Sequence, residues 1–134
     1  MPYAAPRLRL PLTSTLDNTF TMRVQTNQSV CEWKGEKPQP PRPQSKVGIA
    51  LSTIGKQPIN GLRHNPTDTT NGWYIWCGNE LSEDPAFFSP LHVEHLPDRL
   101  PEVLEYLELP PGYRFLIDSA NYEDVWFDPS LLEA

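Results

Sequence analysis

Cysteine is scarce in this chain: Cys31 and Cys77 are the two in 134 residues. Two thiols exclude a disulfide framework. In a reducing compartment both stay free, and Cys77, set in an apolar strand, acts as a small hydrophobe. Histidine is almost as thin, at three residues. No apolar run reaches the roughly 18 residues of a membrane span, and Met1–Leu12 lacks the apolar core of a signal peptide. There is no glycine-rich phosphate loop, no Gly-x-Ser-x-Gly elbow and no Cys–His pair at a recognisable spacing. These absences describe a soluble, cytoplasmic chain without a cofactor. Its length suits one domain.

Positive charge is scarce in the second half. Residues 65–134 hold two arginines against fourteen Asp/Glu, a balance of -12, while residues 1–64 hold nine Lys/Arg against three Asp/Glu, a balance of +6. The acidic half repels nucleic acid and attracts basic proteins. The alternative for such a face is plain solvation. The basic side chains of the first half lie in weakly patterned segments without interleaved aromatics, which does not suit a nucleic-acid groove.

What the chain has in excess is proline, 16 residues, beside a low hydrophobic content of 38%. Part of it is therefore expected as linker or tail. Residues 1–46 read as a basic, proline-rich N-terminal segment, and residues 47–134 as a single α+β domain. Residues 1–22 lack a sustained period and suit a mobile arm or an edge strand. Met22–Trp33 holds β-compatible pieces, Ser29–Trp33 the best of them. Lys37–Lys46, with four prolines, reads as a polyproline-like spacer, with an SH3-type ligand as a lesser reading.

Val47–Ser52 is expected as a short strand and Gly55–Asn71 as a long loop. Trp73-Tyr74-Ile75-Trp76-Cys77, between Gly72 and Gly78, is apolar on both faces. It predicts a central strand covered on both sides. Ser82–Phe88 can nucleate one helical turn, and Leu91–Leu96 alternates as a short strand. Asp98–Leu107 predicts the main helix, capped by Asp98, with Leu100, Val103, Leu104 and Leu107 as its apolar stripe. Tyr113–Asp118 and Glu123–Asp128 read as a hairpin. The expected architecture is α+β: a small antiparallel sheet with one main helix packed on it, plus the proline-rich extension.

Chemistry-bearing clusters are weak. His92-x-Glu94-His95 lacks the spacing of a zinc-protease helix and has no partners to complete a four-ligand site. A small hydrolase using Glu94, Glu123, Asp124 or Asp128 would need a pocket joining them. A scaffold would use residues 38–45 to recruit a partner domain.

Five stretches together resemble a known family: Pro58–His64, Gly72–Gly78, Pro90–Leu96, Leu109–Ile117 and Tyr122–Asp128. From about residue 58 to 132 the chain is similar to the immunity proteins of bacterial polymorphic toxin systems, in the thirty-third family of that series. The resemblance implies a small, non-catalytic α+β protein without cofactor or metal, which binds a cognate secreted toxin and protects the producing cell. Many such toxins are basic nucleases, which an acidic partner suits. The expected contact residues are exposed acids: Glu80, Glu83, Asp84, Glu102, Glu105, Glu123 and Asp124.

Overall fold

The computed structural model describes residues 28–133. The arm or edge strand expected over residues 1–22, and the pieces expected before Gln28, lie outside them. The described chain is α+β, built on a six-stranded sheet with short helices. Its strands are β1 (Lys46–Ile49), β2 (Ile59–Arg63), β3 (Trp73–Cys77), β4 (Ser89–His92), β5 (Tyr113–Ile117) and β6 (Glu123–Phe127). Their order across the sheet is β4-β1-β3-β2-β5-β6.

The aromatic stretch is the inner strand that its two apolar faces predict. Trp73, Ile75 and Cys77 enter the main core with Val47, Ile49, Ile59, Phe115 and Val125. Trp76 goes to the opposite face with Ala50, Leu62 and Leu131, and half-buried Tyr74, Phe87 and Phe88 pack there too. Alternation along a pleated strand produces this division.

The sheet is mixed rather than wholly antiparallel. β1 runs parallel to β3, with Gly48 opposite Tyr74 and Ile49 opposite Ile75, while every other pair is antiparallel. The chain passes from β1 through β2 before it returns as β3. Strand β2 lies inside the expected loop at 55–71, pairing with both β3 and β5. Gly61 opposes both Ile75 and Phe115. A side chain at Gly61 would collide with the Phe115 ring, so glycine is what lets that ring cover the strand.

Two local expectations change type. Ser29–Trp33 is not a strand. Ser29 caps helix α1 (Val30–Lys34): its side chain accepts from the Glu32 amide, and the Glu32 carboxylate accepts from the Ser29 amide. This reciprocal box, closed by Gly35 at φ 70°, outweighs the β preference of Val30 and Cys31. Helix α1 precedes the expected domain start at 47, and its Val30 and Cys31 are fully buried in the main core. The turn at Ser82–Phe88 is not a helix either: Asp84 N donates to Ser82 Oγ and Ala86 N to Asp84 Oδ1.

The main helix is divided. Helix α2 (Leu96–Arg99) ends at Leu100, whose φ of -154° breaks it, and a 3-10 helix follows over Pro101–Glu108. Asp98 lies within α2 and is not a cap. A repeat of three rather than 3.6 residues shifts the buried side. Leu100, Val103, Tyr106 and Leu107 face the core, and Leu104 is 38% exposed. Tyr106 stacks on Phe115 at 4.8 Å. The expected strand at 91–96 stops at His92 and gives way to a 3-10 turn over Val93–His95. The hairpin of β5 and β6 forms as expected, turning through Asp118–Tyr122, where Asn121 takes φ 68°.

Candidate functional site

The register gives the sheet two ends. At one end lie Lys46, Arg63, Trp73, Tyr113 and Phe127; at the other lie Ile49, Ile59, Cys77, Ile117 and Glu123. The loops at the second end carry Glu80, Glu83, Asp84 and Asp118, with Glu123 beside them, against Lys56. Glu80, Glu83 and Asp84 are exposed in the segment after β3. Glu102 is also exposed and lies near that end, lining a 280 Å3 hollow with Lys56, Cys77 and Arg99. Glu105 is exposed on the 3-10 helix, and half-buried Glu123 accepts a hydrogen bond from the Tyr106 hydroxyl. Five of the seven expected contact acids thus share one end of the sheet.

Asp124 does not join them. It follows Glu123 on one strand, so it faces the opposite side, in register with Leu116. It is 3% exposed, with the Tyr122 hydroxyl 3.5 Å from its carboxylate. Asp124 is therefore not a surface contact. The hydrolase arrangement does not assemble either. Asp128 lies at the far end of β6, paired with Arg114 at 3.1 Å, and Glu94 is exposed beyond β4. Burial alone would raise the Asp128 carboxyl, but bonds from Ser130 and Arg114 win and hold it below its ordinary value. None of these four carboxylates lines the 280 Å3 hollow or the larger cleft described next.

That cleft, of about 890 Å3, opens at the first end. One wall is the proline segment, the other the loop at residues 66–71, and Arg63 lies between them. The proline segment is not a free spacer. Gln39 N donates to the Glu108 carbonyl at 2.7 Å, and Ser45 Oγ accepts from Asn71 Nδ2. The facing loop is fixed through Lys46, whose carbonyl accepts from Asn71 N and Thr70 Oγ1. Asn71 also turns its side-chain oxygen to the Trp73 amide at 3.0 Å, joining the loop to β3.

Arg63 is 4% exposed. Its Nε donates to the Asn71 carbonyl at 3.1 Å, and its Nη1 reaches the carbonyls of Gln39 and Leu109, both at 2.7 Å, and Leu107 at 3.4 Å. Four backbone carbonyls from three segments of the chain therefore hold one guanidinium. No carboxylate among the described residues pairs with it. Burial pulls its pKa down from the ordinary arginine value to about 10, because no nearby anion offsets the loss of water. Arg42 and Lys46 add positive charge to the walls, against Asp68. Sequence reasoning passed over Arg63. Its signal was phase: on β2 it follows Ile59 and Gly61 on the inward face, where an arginine needs a purpose.

With both ends in view, comparison with known proteins decides the family. The model of the Imm33-like domain matches residues 26–128. The chain belongs to the Imm33-like family. This is an immunity-protein family, typically non-catalytic. The match begins well upstream of Pro58 and takes in α1 and the proline segment, so both are part of the Imm33-like domain. No curated protein and no solved structure matches. No helix among the described residues is long and apolar enough to cross a membrane.

Proposed function

We propose that this Imm33-like protein is the cytoplasmic antidote to a cognate secreted toxin, which it neutralises by binding and occlusion rather than by catalysis. Family membership carries the reading. The placement of the acids supports it. Glu80, Glu83 and Asp84 lie close together in one exposed segment, with Glu102 and Glu123 toward the same end of the sheet and Glu105 on the adjoining helix. A surface of one sign speeds encounter with a partner of the other sign, and close pairs then slow its release. A basic toxin, such as a nuclease, suits it. Phe87 and Phe88, half-buried behind the acids, supply apolar contact area.

Co-expression with the secreted protein encoded beside this chain tests the proposal. Growth should be restored, and the two proteins should purify as one complex. A salt series should show affinity falling steeply as screening rises. Absence of both rescue and complex sinks the proposal.

A further inference from the structure

We infer that the cleft at the Arg63 end is a second recognition site, taking a carboxylate from an acidic peptide segment of the partner. Three observations converge on it. First, Arg63 is buried with a donor to spare. Nε and Nη1 are held by four backbone carbonyls, whereas Nη2 has no hydrogen bond among the described residues. A guanidinium without a counter-ion, with a donor left over at the cleft, favours an anion there. Second, the cleft is large enough for a short peptide and positive in balance, with Arg42, Lys46 and Arg63 against Asp68. Third, its walls are fixed before any ligand arrives. Thr67 N donates to Thr70 O, Thr69 N to Thr67 Oγ1, and Asn71 N to Lys46 O. Little ordering remains to be done on binding.

The chemistry favours a carboxylate on a peptide over a phosphate. Phosphate sites commonly gather several backbone N–H groups around the anion. Here Pro40, Pro41 and Pro66 on the walls have no N–H to give. No aromatic ring lines the cleft to stack a base. Proline rings do suit the methylene stem of a glutamate. With Nε and Nη1 engaged, Arg63 offers Nη2 alone, enough for one carboxylate oxygen and too little for the two-point grip of a free guanidinium. Residues 1–27 of the same chain carry Arg7, Arg9 and Arg23 against Asp17, the wrong sign for this cleft.

The inference rests on the immunity reading only in naming the toxin as partner. Its test therefore uses a synthetic probe. The isotope-labelled full chain is titrated with the blocked peptide acetyl-Gly-Glu-Asp-Glu-Gly-amide, with its Gln/Asn counterpart, and with inorganic phosphate at matched ionic strength. The acidic peptide should shift the Arg63 side-chain signal and the amides of Lys46, Thr69, Thr70 and Asn71, and the shifts should saturate. The neutral peptide and phosphate should leave them in place. Combining Arg42→Glu with Lys46→Glu should weaken the acidic peptide about tenfold or more, with an unchanged urea midpoint. Equal responses to neutral peptide or phosphate, shifts elsewhere on the chain, or indifference to the double reversal would each overturn the inference. Should rescue from the toxin fail while the acidic peptide binds, the immunity reading falls and the cleft stands. Should rescue succeed while the cleft stays silent, the immunity reading stands and the second site falls.

Discussion

The two ends of the sheet solve opposite electrostatic problems. At the acidic end, like charges sit on exposed loops, where water screens them and they contribute little to the fold. At the cleft end, a single cation is taken out of water and held by carbonyls from distant parts of the chain. The first arrangement leaves charge available to a partner. The second makes charge part of the architecture, so that the proline segment, the helical segment at 101–109 and the loop leading into β3 all depend on Arg63. Charge at one end should therefore matter to binding, and charge at the other to folding as well.

Arg63→Met is the strongest way to break that contrast. It leaves the carbonyls of Gln39, Asn71, Leu107 and Leu109 without their donor, and should cost about 3–5 kcal/mol in urea unfolding. Gly72→Ala strikes the same end through the backbone. Gly72 has φ 98°, and an added Cβ would meet the His64 carbonyl oxygen, which cannot move without disturbing the β2–β3 pairing. A loss of roughly 2–4 kcal/mol is expected. If either variant is as stable as wild type, the cleft end is not the structural anchor described.

The acidic end should answer in the opposite way. Glu80→Lys, Glu83→Lys and Asp84→Lys combined should leave the urea midpoint within about 0.5 kcal/mol. Toxin affinity should fall about 10–100-fold at low salt and by less at high salt. A triple variant that unfolds but still binds would reverse the comparison.

Alkali adds a further test, because the buried thiols and Arg63 titrate with opposite signs. Burial, with Glu108 nearby, pushes the Cys31 thiol from 9.0 to about 12. The folded state keeps that proton after the unfolded chain has lost it. Stability is therefore full below pH 9 and falls as pH rises toward 12, by up to about 1.4 kcal/mol per unit. Burial also raises Cys77, which adds in the same direction. Arg63 acts oppositely: its depressed value contributes a gain in stability as pH rises above about 10, which the raised Tyr113 hydroxyl offsets. Between pH 9 and 10 the thiols dominate, so Cys31→Ala should flatten the decline measured by urea unfolding there. An unchanged slope would mean that Cys31 does not hold its proton in the fold.

The elements legible in the sequence are those whose pattern is local. β3 announces itself by apolar residues on both faces, and the β5–β6 hairpin by alternation around a polar turn. Strand β2 was hidden because Ile59-Asn60-Gly61-Leu62-Arg63 mixes glycine and polar residues whose roles appear only against neighbouring strands. Gly61 makes room for Phe115, and Asn60 Nδ2 donates to the Gly78 carbonyl at 2.9 Å. Helix α1 was legible in principle, since Ser29 and Glu32 have capping-box spacing, but its five residues are too few to show a helical period. The acidic end could be read as composition, apart from Asp124, whose burial on the face opposite Val125 depends on the register of β6. The cleft could not, because Arg63 meets its carbonyl partners across 24, 44 and 46 residues of sequence.

The helical segment that spans the two ends allows the finest test. It starts at Leu100, beside the hollow with Lys56 and Cys77, and ends at Leu109, whose carbonyl holds Arg63. Wound as an α-helix from Leu100, it would bury Leu104, and Leu104→Ala would then cost about 2–5 kcal/mol. Wound as a 3-10 helix, it buries Tyr106 instead and leaves Leu104 38% exposed, so the same substitution should cost less than about 1 kcal/mol. The tighter winding also lengthens the segment, at about 2.0 Å per residue against 1.5 Å. Eight residues then reach about 4 Å further than an α-helix of the same length. That extra reach helps to bring the Leu107 and Leu109 carbonyls to Arg63 while Leu100 stays at the acidic end. A core-sized loss at Leu104 would mean that the segment is α-helical and shorter, and the link between the two ends would have to be sought elsewhere.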